Sequence, residues 1–197
     1  MGRNKTYIIL VSAIALAVAL SARPAPAQDA KQSYATMAPL EQYLMDHDAE
    51  IPLARSAAPD SISRDAEVLV LGRHGFETAV KGKNGFVCIV ERSWTSAPDA
   101  DFWNPKVRTP ICYNPAAART FFPRNMKRTD LVLAGRSKAE TDKTIVAAVD
   151  KKELPAMEPG AMCYMMSRQG YGGDSVAACR MMAFYAGRAS SAYGIYE

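Results

Sequence analysis

The sequence predicts an α+β fold in which short helices pack with an antiparallel sheet. Apolar residues recur at helical spacing before residue 57 and after residue 114, and apolar, β-branched runs bounded by glycine lie between these stretches. A further apolar, sulfur-containing run near the C-terminus predicts a closing hairpin over 161–186. Helices placed before and after a block of strands are typical of the α+β class.

Residues 1–27 show the order of positive charge, apolar core and small residues that is typical of a Sec-type signal peptide. Arg3 and Lys5 precede an apolar run at 7–20, which is shorter than the roughly 20 residues that a transmembrane helix needs. Small residues then form a cleavage site, and no cysteine lies directly after this site to carry a lipid anchor. We therefore predict a periplasmic or secreted protein whose residues 28–197 form a single α+β domain.

The charge of the chain removes nucleic acid from the expected partners. The formal net charge is +4, of which Arg3, Lys5 and Arg23 in the predicted leader supply three without any acidic residue. A mature chain near neutrality lacks the basic surface that nucleic-acid binding needs. No later segment approaches the length of a transmembrane helix, so we expect no membrane contact after cleavage. The partner itself stays unknown at this point.

The first half of the mature chain passes from helices to strands. Helical spacing over 37–57, with Pro52 inside it, predicts two short helices or one helix broken near 47–52. Residues 66–93 contain three strand-like runs, and an Asn-Gly pair before the last run is typical of a hairpin turn. We therefore predict a three-stranded antiparallel meander over 66–93.

The second half alternates between irregular and regular stretches. Four prolines between residues 94 and 115 prevent a regular strand ladder, and we expect the aromatic residues among them to pin this loop onto the sheet. Three helices are predicted, at 115–122, 126–133 and 137–152. A Ser-x-x-Glu capping box opens the last of them. The run at 161–167 is then a predicted strand with 177–186 as its hairpin partner.

The four cysteines of an exported chain predict disulfides. Three pairings are possible among Cys88, Cys112, Cys163 and Cys179. No C-x-x-C motif is present to indicate a thioredoxin-like site. We favour Cys88–Cys112, which would staple the proline-rich loop to a central strand. The other pair, Cys163–Cys179, would then close the C-terminal hairpin.

Six stretches of the chain carry a resemblance to known proteins. They are APLEQYLM at 38–45, EVLVLGRHG at 67–75, AVKGKNGFVC at 79–88, ERSW at 91–94, FWNP at 102–105 and PGAMCYMM at 159–166. Together they resemble a family of small exported bacterial proteins of unknown function, which implies export and a single domain but no activity or catalytic residue. That family continues with a Trp-His-Pro-His-like segment, whereas residues 174–186 here hold neither histidine nor tryptophan. No role of those histidines is therefore carried over.

Motifs of catalysis and cofactor binding are scarce in this chain. The sequences G-x-S-x-G, H-E-x-x-H, G-x-G-x-x-G and the P-loop are all absent, and we expect no cofactor. His74, in a loop after a strand, and Glu77 are the candidate acid–base pair of a hydrolase-like periplasmic enzyme. Polar residues at such a position are also typical of a solvent-exposed β-turn. The sequence therefore favours a non-catalytic protein over an enzyme.

Sulfur-containing residues near the C-terminus are the candidate metal ligands. Cys163 and Met165 belong to the first run of the predicted hairpin, and Cys179 and Met181 belong to the second. If the two runs pair, their thioether and thiolate groups would suit copper(I). Methionine also fills irregular core space, and neighbouring residues of a strand point to opposite faces. We therefore expect a hairpin without metal, with copper handling as the alternative function.

The leading hypothesis is an exported, non-catalytic binding or structural protein stabilised by disulfides. Its expected contact surface is the loop that runs from Trp94 to Tyr113 over the sheet, since aromatic and arginine side chains are enriched at recognition surfaces. The candidate ligand-binding residues lie in or beside this loop and are Trp94, Trp103, Arg92 and Tyr113.

Overall fold

Five strands form one mixed sheet in the computed structural model, which describes residues 34–96 and 101–173. The strands are β1 (Glu67–Gly72), β2 (Gly75–Val80), β3 (Val87–Glu91), β4 (Thr109–Tyr113) and β5 (Cys163–Tyr164). Their order across the sheet is β2-β1-β3-β4-β5, and every neighbouring pair is antiparallel except β1 with β3. With the helices that cover it, this sheet confirms the predicted α+β class.

The predicted antiparallel meander over 66–93 is wrong, because β3 lies beside β1 and runs parallel to it. The chain leaves β2 and crosses the start of β1, where Glu67 N donates to the Phe86 carbonyl at 2.9 Å. Glycine is required at position 82 of this crossing, since a Cβ on Gly82 would lie 2.2 Å from Glu67 N. The side-chain amide of Asn84 donates to a backbone carbonyl of the preceding helical turn at 2.8 Å. The Asn-Gly pair therefore anchors a crossing and does not form a hairpin.

Short helices cover both faces of the sheet. They are a 3₁₀ turn at Leu40–Gln42, α1 (His47–Arg55), α2 (Asp60–Ser63), α3 (Ser93–Ser96), α4 (Pro115–Thr120), α5 (Phe122–Leu133) and α6 (Lys138–Asp150). The helical region predicted over 37–57 is thus two short helices, and α1 continues through Pro52. Ser137 and Glu140 form the predicted capping box of α6. Pro123 lies in the first turn of α5, so this helix begins four residues earlier than predicted.

Alternate side chains of the strands enter two different cores. The core beneath α1 contains Val68, Cys88, Val90, Cys112 and Ala54. The core beneath α4 and α5 contains Leu69, Ile89, Ile111, Tyr113 and Phe122. Because the central strands are buried on both faces, their sequences are almost continuously apolar, a pattern that does not by itself show which residue faces which helix.

The C-terminal hairpin is only partly within the described residues. The run predicted as a strand at 161–167 contains the two-residue strand β5, which pairs with β4. Its predicted partner at 177–186 lies outside the described residues, as does the predicted leader at 1–27. All the described residues belong to one compact unit.

Candidate functional site

The β1–β2 hairpin carries the predicted acid–base residues at a two-residue turn. Gly72 and Gly75 pair across its end, and Gly75 has a φ of +126°, a conformation that favours glycine. The turn leaves His74 exposed at the tip and Glu77 exposed on β2, and no ion pair between these two is found in the described part of the chain. Glu77 Oε1 instead lies 3.7 Å from Nε2 of His47, at the start of α1. Both side chains of this contact are more than half exposed.

Three of the four residues predicted to contact a ligand are buried. Arg92 and Tyr113 are 0% exposed, Trp94 is 2% exposed, and Trp103 is half-buried. The indole nitrogen of Trp94 donates to Thr129 Oγ1 at 3.0 Å, which ties α3 to α5. The predicted contact surface is therefore not formed by these side chains, because they complete the interior around the sheet.

Arg92 forms an ion pair with Glu50 between α1 and β3. Its Nη2 lies 2.9 Å from Glu50 Oε1, and both side chains are fully buried. Arg92 Nε donates to the Tyr43 carbonyl at 2.7 Å, and Nη1 donates to the Val90 carbonyl. Burial lowers the pKa of Arg92, and the neighbouring Glu50 opposes this effect. These partners indicate a structural role for Arg92, because its hydrogen-bond donors are directed at other groups of the protein.

The opposite face of the sheet holds a second buried polar cluster, which the sequence analysis missed. The Tyr113 hydroxyl donates to Glu91 Oε1, and Asn125 Nδ2 donates to the same oxygen at 2.5 Å and to the Tyr113 hydroxyl at 2.7 Å. Burial raises the pKa of Glu91 to about 7, although both hydrogen bonds act to lower it. Burial also raises the pKa of Tyr113 well above its usual range. Because the pKa of Glu91 differs from its ordinary value of 4.5, its protonation is coupled to the stability of the fold.

Three of the four cysteines lie within the described residues. Cys88 and Cys112 lie directly opposite each other on β3 and β4 and form the predicted disulfide. Cys163 is buried on β5, whereas Cys179 lies outside the described residues, so their pairing stays a prediction. The confirmed disulfide joins the centre of the sheet to the strand that ends the proline-rich loop.

The predicted copper ligands can be placed only in part. Cys163 is buried in the core beneath α4 and α5, and Met165 packs half-buried against the same core. Met181 and Cys179 lie outside the described residues. Across residues 34–96 and 101–173, no three His, Cys, Asp or Glu side chains form a group that could hold a metal ion. Copper handling therefore stays a prediction that rests on the sulfur content alone.

A groove of about 530 Å³ lies between α1 and α2, and we refer to it as the α1–α2 groove. Its polar lining includes Arg55, Asp60, Ser63 and Arg64, and Ile51 adds apolar surface. A volume of this size is within the range of small-molecule sites, roughly 300–1,000 Å³.

Buried contacts fix both walls of the groove. Ala54 is 0% exposed and packs α1 onto the sheet, and the neighbouring Ile51 and Arg55 line the groove beside this contact. The backbone after α1 is held by Met166 N, which donates to the Ala57 carbonyl at 2.9 Å. In α2, Ser63 is 2% exposed, and its N–H donates to the Pro59 carbonyl at 3.0 Å. Buried side chains and backbone hydrogen bonds therefore hold both walls of the groove in place.

The charged side chains of the groove are not paired with one another. Arg55 is half-buried, and its Nε is shielded from solvent without a hydrogen bond in the described ranges. Arg64 and Asp60 are exposed, and among the described residues no ion pair joins either of them to Arg55 or to each other. Two guanidinium groups and one carboxylate leave the groove with an excess of positive charge.

No protein-family model matches this chain, and no curated protein or solved structure matches it. Within the two described ranges, no helix has the length and apolar character needed to cross a membrane.

The α1–α2 groove could not be predicted from the sequence because its residues carry no motif. Arg55 lies at the end of α1 and Arg64, nine residues later, directly follows α2, and only the chain path between the two helices brings them to one groove. Ile51 and Arg55, spaced i and i+4, were a weak signal that they share one helix face. Nothing in the sequence shows that this face stays uncovered.

Proposed function

We propose that this chain is exported to an oxidising compartment, the periplasm or the medium, and binds a small ligand there without catalysing a reaction. The signal-like residues 1–27 and the Cys88–Cys112 disulfide both support export, because structural disulfides persist mainly outside the reducing cytosol. The resemblance to a family of small exported proteins agrees with this proposal.

Two arrangements of polar residues argue against catalysis. Arg92 and Tyr113 direct their polar atoms at protein partners in the two cores. The exposed contact between His47 and Glu77 is 3.7 Å long and lies open to water, whereas an acid–base pair acts best in a site that positions substrate and limits solvent. A hydrolase that uses His74 and Glu77 is therefore the less supported alternative.

The observation that carries the binding function is the α1–α2 groove. Its volume suits a small molecule, and Nε of Arg55 in its lining has no hydrogen-bond partner among the described residues. A bound ligand would supply that partner.

Export is tested by expressing the full chain in a Gram-negative host and separating the periplasm, the medium and the cytosol. We expect a chain that begins at residue 28, with Cys88 and Cys112 protected from a thiol reagent after denaturation. A chain that keeps residues 1–27 in the cytosol, with both thiols reactive, would contradict the proposal.

The absence of catalysis is tested with the purified protein on a panel of ester, amide and phosphate-ester substrates, alongside a His74→Ala variant. We expect no turnover by either protein. Turnover by the parent protein that His74→Ala abolishes would establish the hydrolase alternative.

A further inference from the structure

We infer that the α1–α2 groove binds a small molecule through an oxyanion group, a carboxylate or a phosphate, held by Arg55 and Arg64. This inference rests on the proposed binding function and names the chemical class of its ligand. The groove combines arginine side chains without an ion-pair partner among the described residues with both polar and apolar walls.

Arg55 is the centre of the inferred site. The Nε of the half-buried Arg55 is shielded from water, and within the described part of the chain no hydrogen-bond acceptor is found for it. Most buried polar groups in proteins are hydrogen-bonded, so we expect a bound ligand to accept a hydrogen bond from this unpaired donor. An oxyanion would supply both hydrogen-bond acceptors and the opposite charge.

Arg64 makes the site selective for an oxyanion over a neutral ligand. Guanidinium groups bind carboxylates and phosphates through two parallel hydrogen bonds, a geometry that a lysine cannot reproduce. Arg64 directly follows α2 and lines the groove, so a bound oxyanion would be approached from α1 and from the end of α2. The buried Ser63 is the last residue of α2 and also lines the groove.

The remaining lining residues restrict the ligand further. Asp60 is the acidic residue of the groove and would repel a second negative charge close to it. Ile51 and Pro52 offer apolar surface on α1, which suits a ligand with a short hydrocarbon part. The inferred ligand is therefore a small organic acid or phosphate ester that has one oxyanion group and an apolar portion.

Titration calorimetry on the purified, oxidised full chain tests the inference with two probes, inorganic phosphate and butyrate, at an ionic strength held constant with sodium chloride. We expect saturable binding of at least one probe at one site, and the probe that binds identifies the preferred oxyanion. Arg55→Gln should weaken that binding by about tenfold or more, because a charge-assisted pair is lost. Asp60→Asn should strengthen it, because a repulsive charge is removed.

Arg136→Gln is the matched control, since Arg136 is an exposed arginine outside the groove whose loss changes the net charge equally. Its affinity for the probe should equal that of the parent protein. Circular dichroism and the melting temperature establish that each variant is folded, and Arg64→Gln replaces Arg55→Gln if the latter is not. Binding by neither probe, or equal weakening by the groove and control variants, would overturn the inference. Either result leaves the export measurement unchanged, so failure of the oxyanion inference is distinguished from failure of the proposed export.

Discussion

Glu91→Gln should remove a pH dependence from the stability of this protein. Glu91 is 3% exposed at the end of β3, and Tyr113 and Asn125 both donate to its Oε1. Glutamine keeps the length of the side chain and an oxygen that accepts the same two hydrogen bonds, but it cannot ionise. The variant therefore mimics the protonated form of Glu91 at every pH.

The magnitude follows from the pKa of Glu91 in the two states. Burial raises this pKa to about 7 in the folded protein, against an ordinary value of 4.5. Below pH 4.5 the carboxyl is protonated in both states, so the folded protein has its full stability. Between these two values the unfolded chain releases the proton first, and the free energy of unfolding falls as the pH rises. The total loss, complete above about pH 7, is about 3 kcal/mol.

Urea unfolding of the parent protein and of Glu91→Gln at several pH values from 4 to 8.5 measures this effect. The quantity of interest is the difference between their free energies of unfolding, since other titrating groups contribute equally to both proteins. We expect this difference to move by about 3 kcal/mol in favour of the glutamine variant as the pH rises. A difference that stays constant across the range would refute the reasoning.

Glu158→Gln provides a control of opposite sign. The side chain of Glu158 is 41% exposed and lies 2.8 Å from Arg119, and a hydrogen bond from this arginine lowers its pKa. Its contribution to stability is therefore present above the unfolded pKa and is lost as the pH falls. The advantage of the parent protein over Glu158→Gln should disappear toward acid pH, whereas Glu91→Gln should gain toward alkaline pH.

Three further changes test other parts of the fold. Replacing Cys88 and Cys112 together by alanine opens a cross-link that spans 24 residues, and urea unfolding should show a loss of about 3 kcal/mol. Glu50→Ala leaves Arg92 charged and fully buried, which should cost about 3–5 kcal/mol in the same assay, while exchange of both residues for apolar ones should recover most of the loss. Ser137→Ala removes the capping box of α6 and should lower the stability by about 1 kcal/mol, measured by thermal unfolding followed by circular dichroism.

Local patterns predicted the elements of this fold better than their arrangement. The capping box of α6 and the strand-like run that became β3 depend on neighbours in sequence, so the sequence alone located them. The predicted meander is wrong because an Asn-Gly pair indicates a turn but does not distinguish a hairpin from a crossing to the far side of β1. The required glycine at position 82 marks a crossing only once its distance to Glu67 is known.

The candidate site was harder to predict because charge and burial are set by distant partners. Arginine is rarely fully buried, so the sequence placed Arg92 on a contact surface. Its counterion, Glu50, lies 42 residues earlier on α1, a separation that no local pattern reveals. Arg55 shows the converse, since the sequence gives it no special position and the fold leaves it unpaired in a groove.

Glu91 and Arg92 show how neighbouring residues of one chain avoid an uncompensated buried charge in two different ways. Because successive side chains point to opposite faces, Glu91 enters the core beneath α5 and Arg92 enters the core beneath α1. Arg92 keeps its charge and has a carboxylate partner, whereas Glu91 meets a hydroxyl and an amide and has its pKa raised to about 7. The ion pair is therefore sensitive to removal of either partner, while the Glu91 cluster is sensitive to pH. Glu50→Ala should accordingly destabilise the fold across the pH range, and the effect of Glu91→Gln should change with pH.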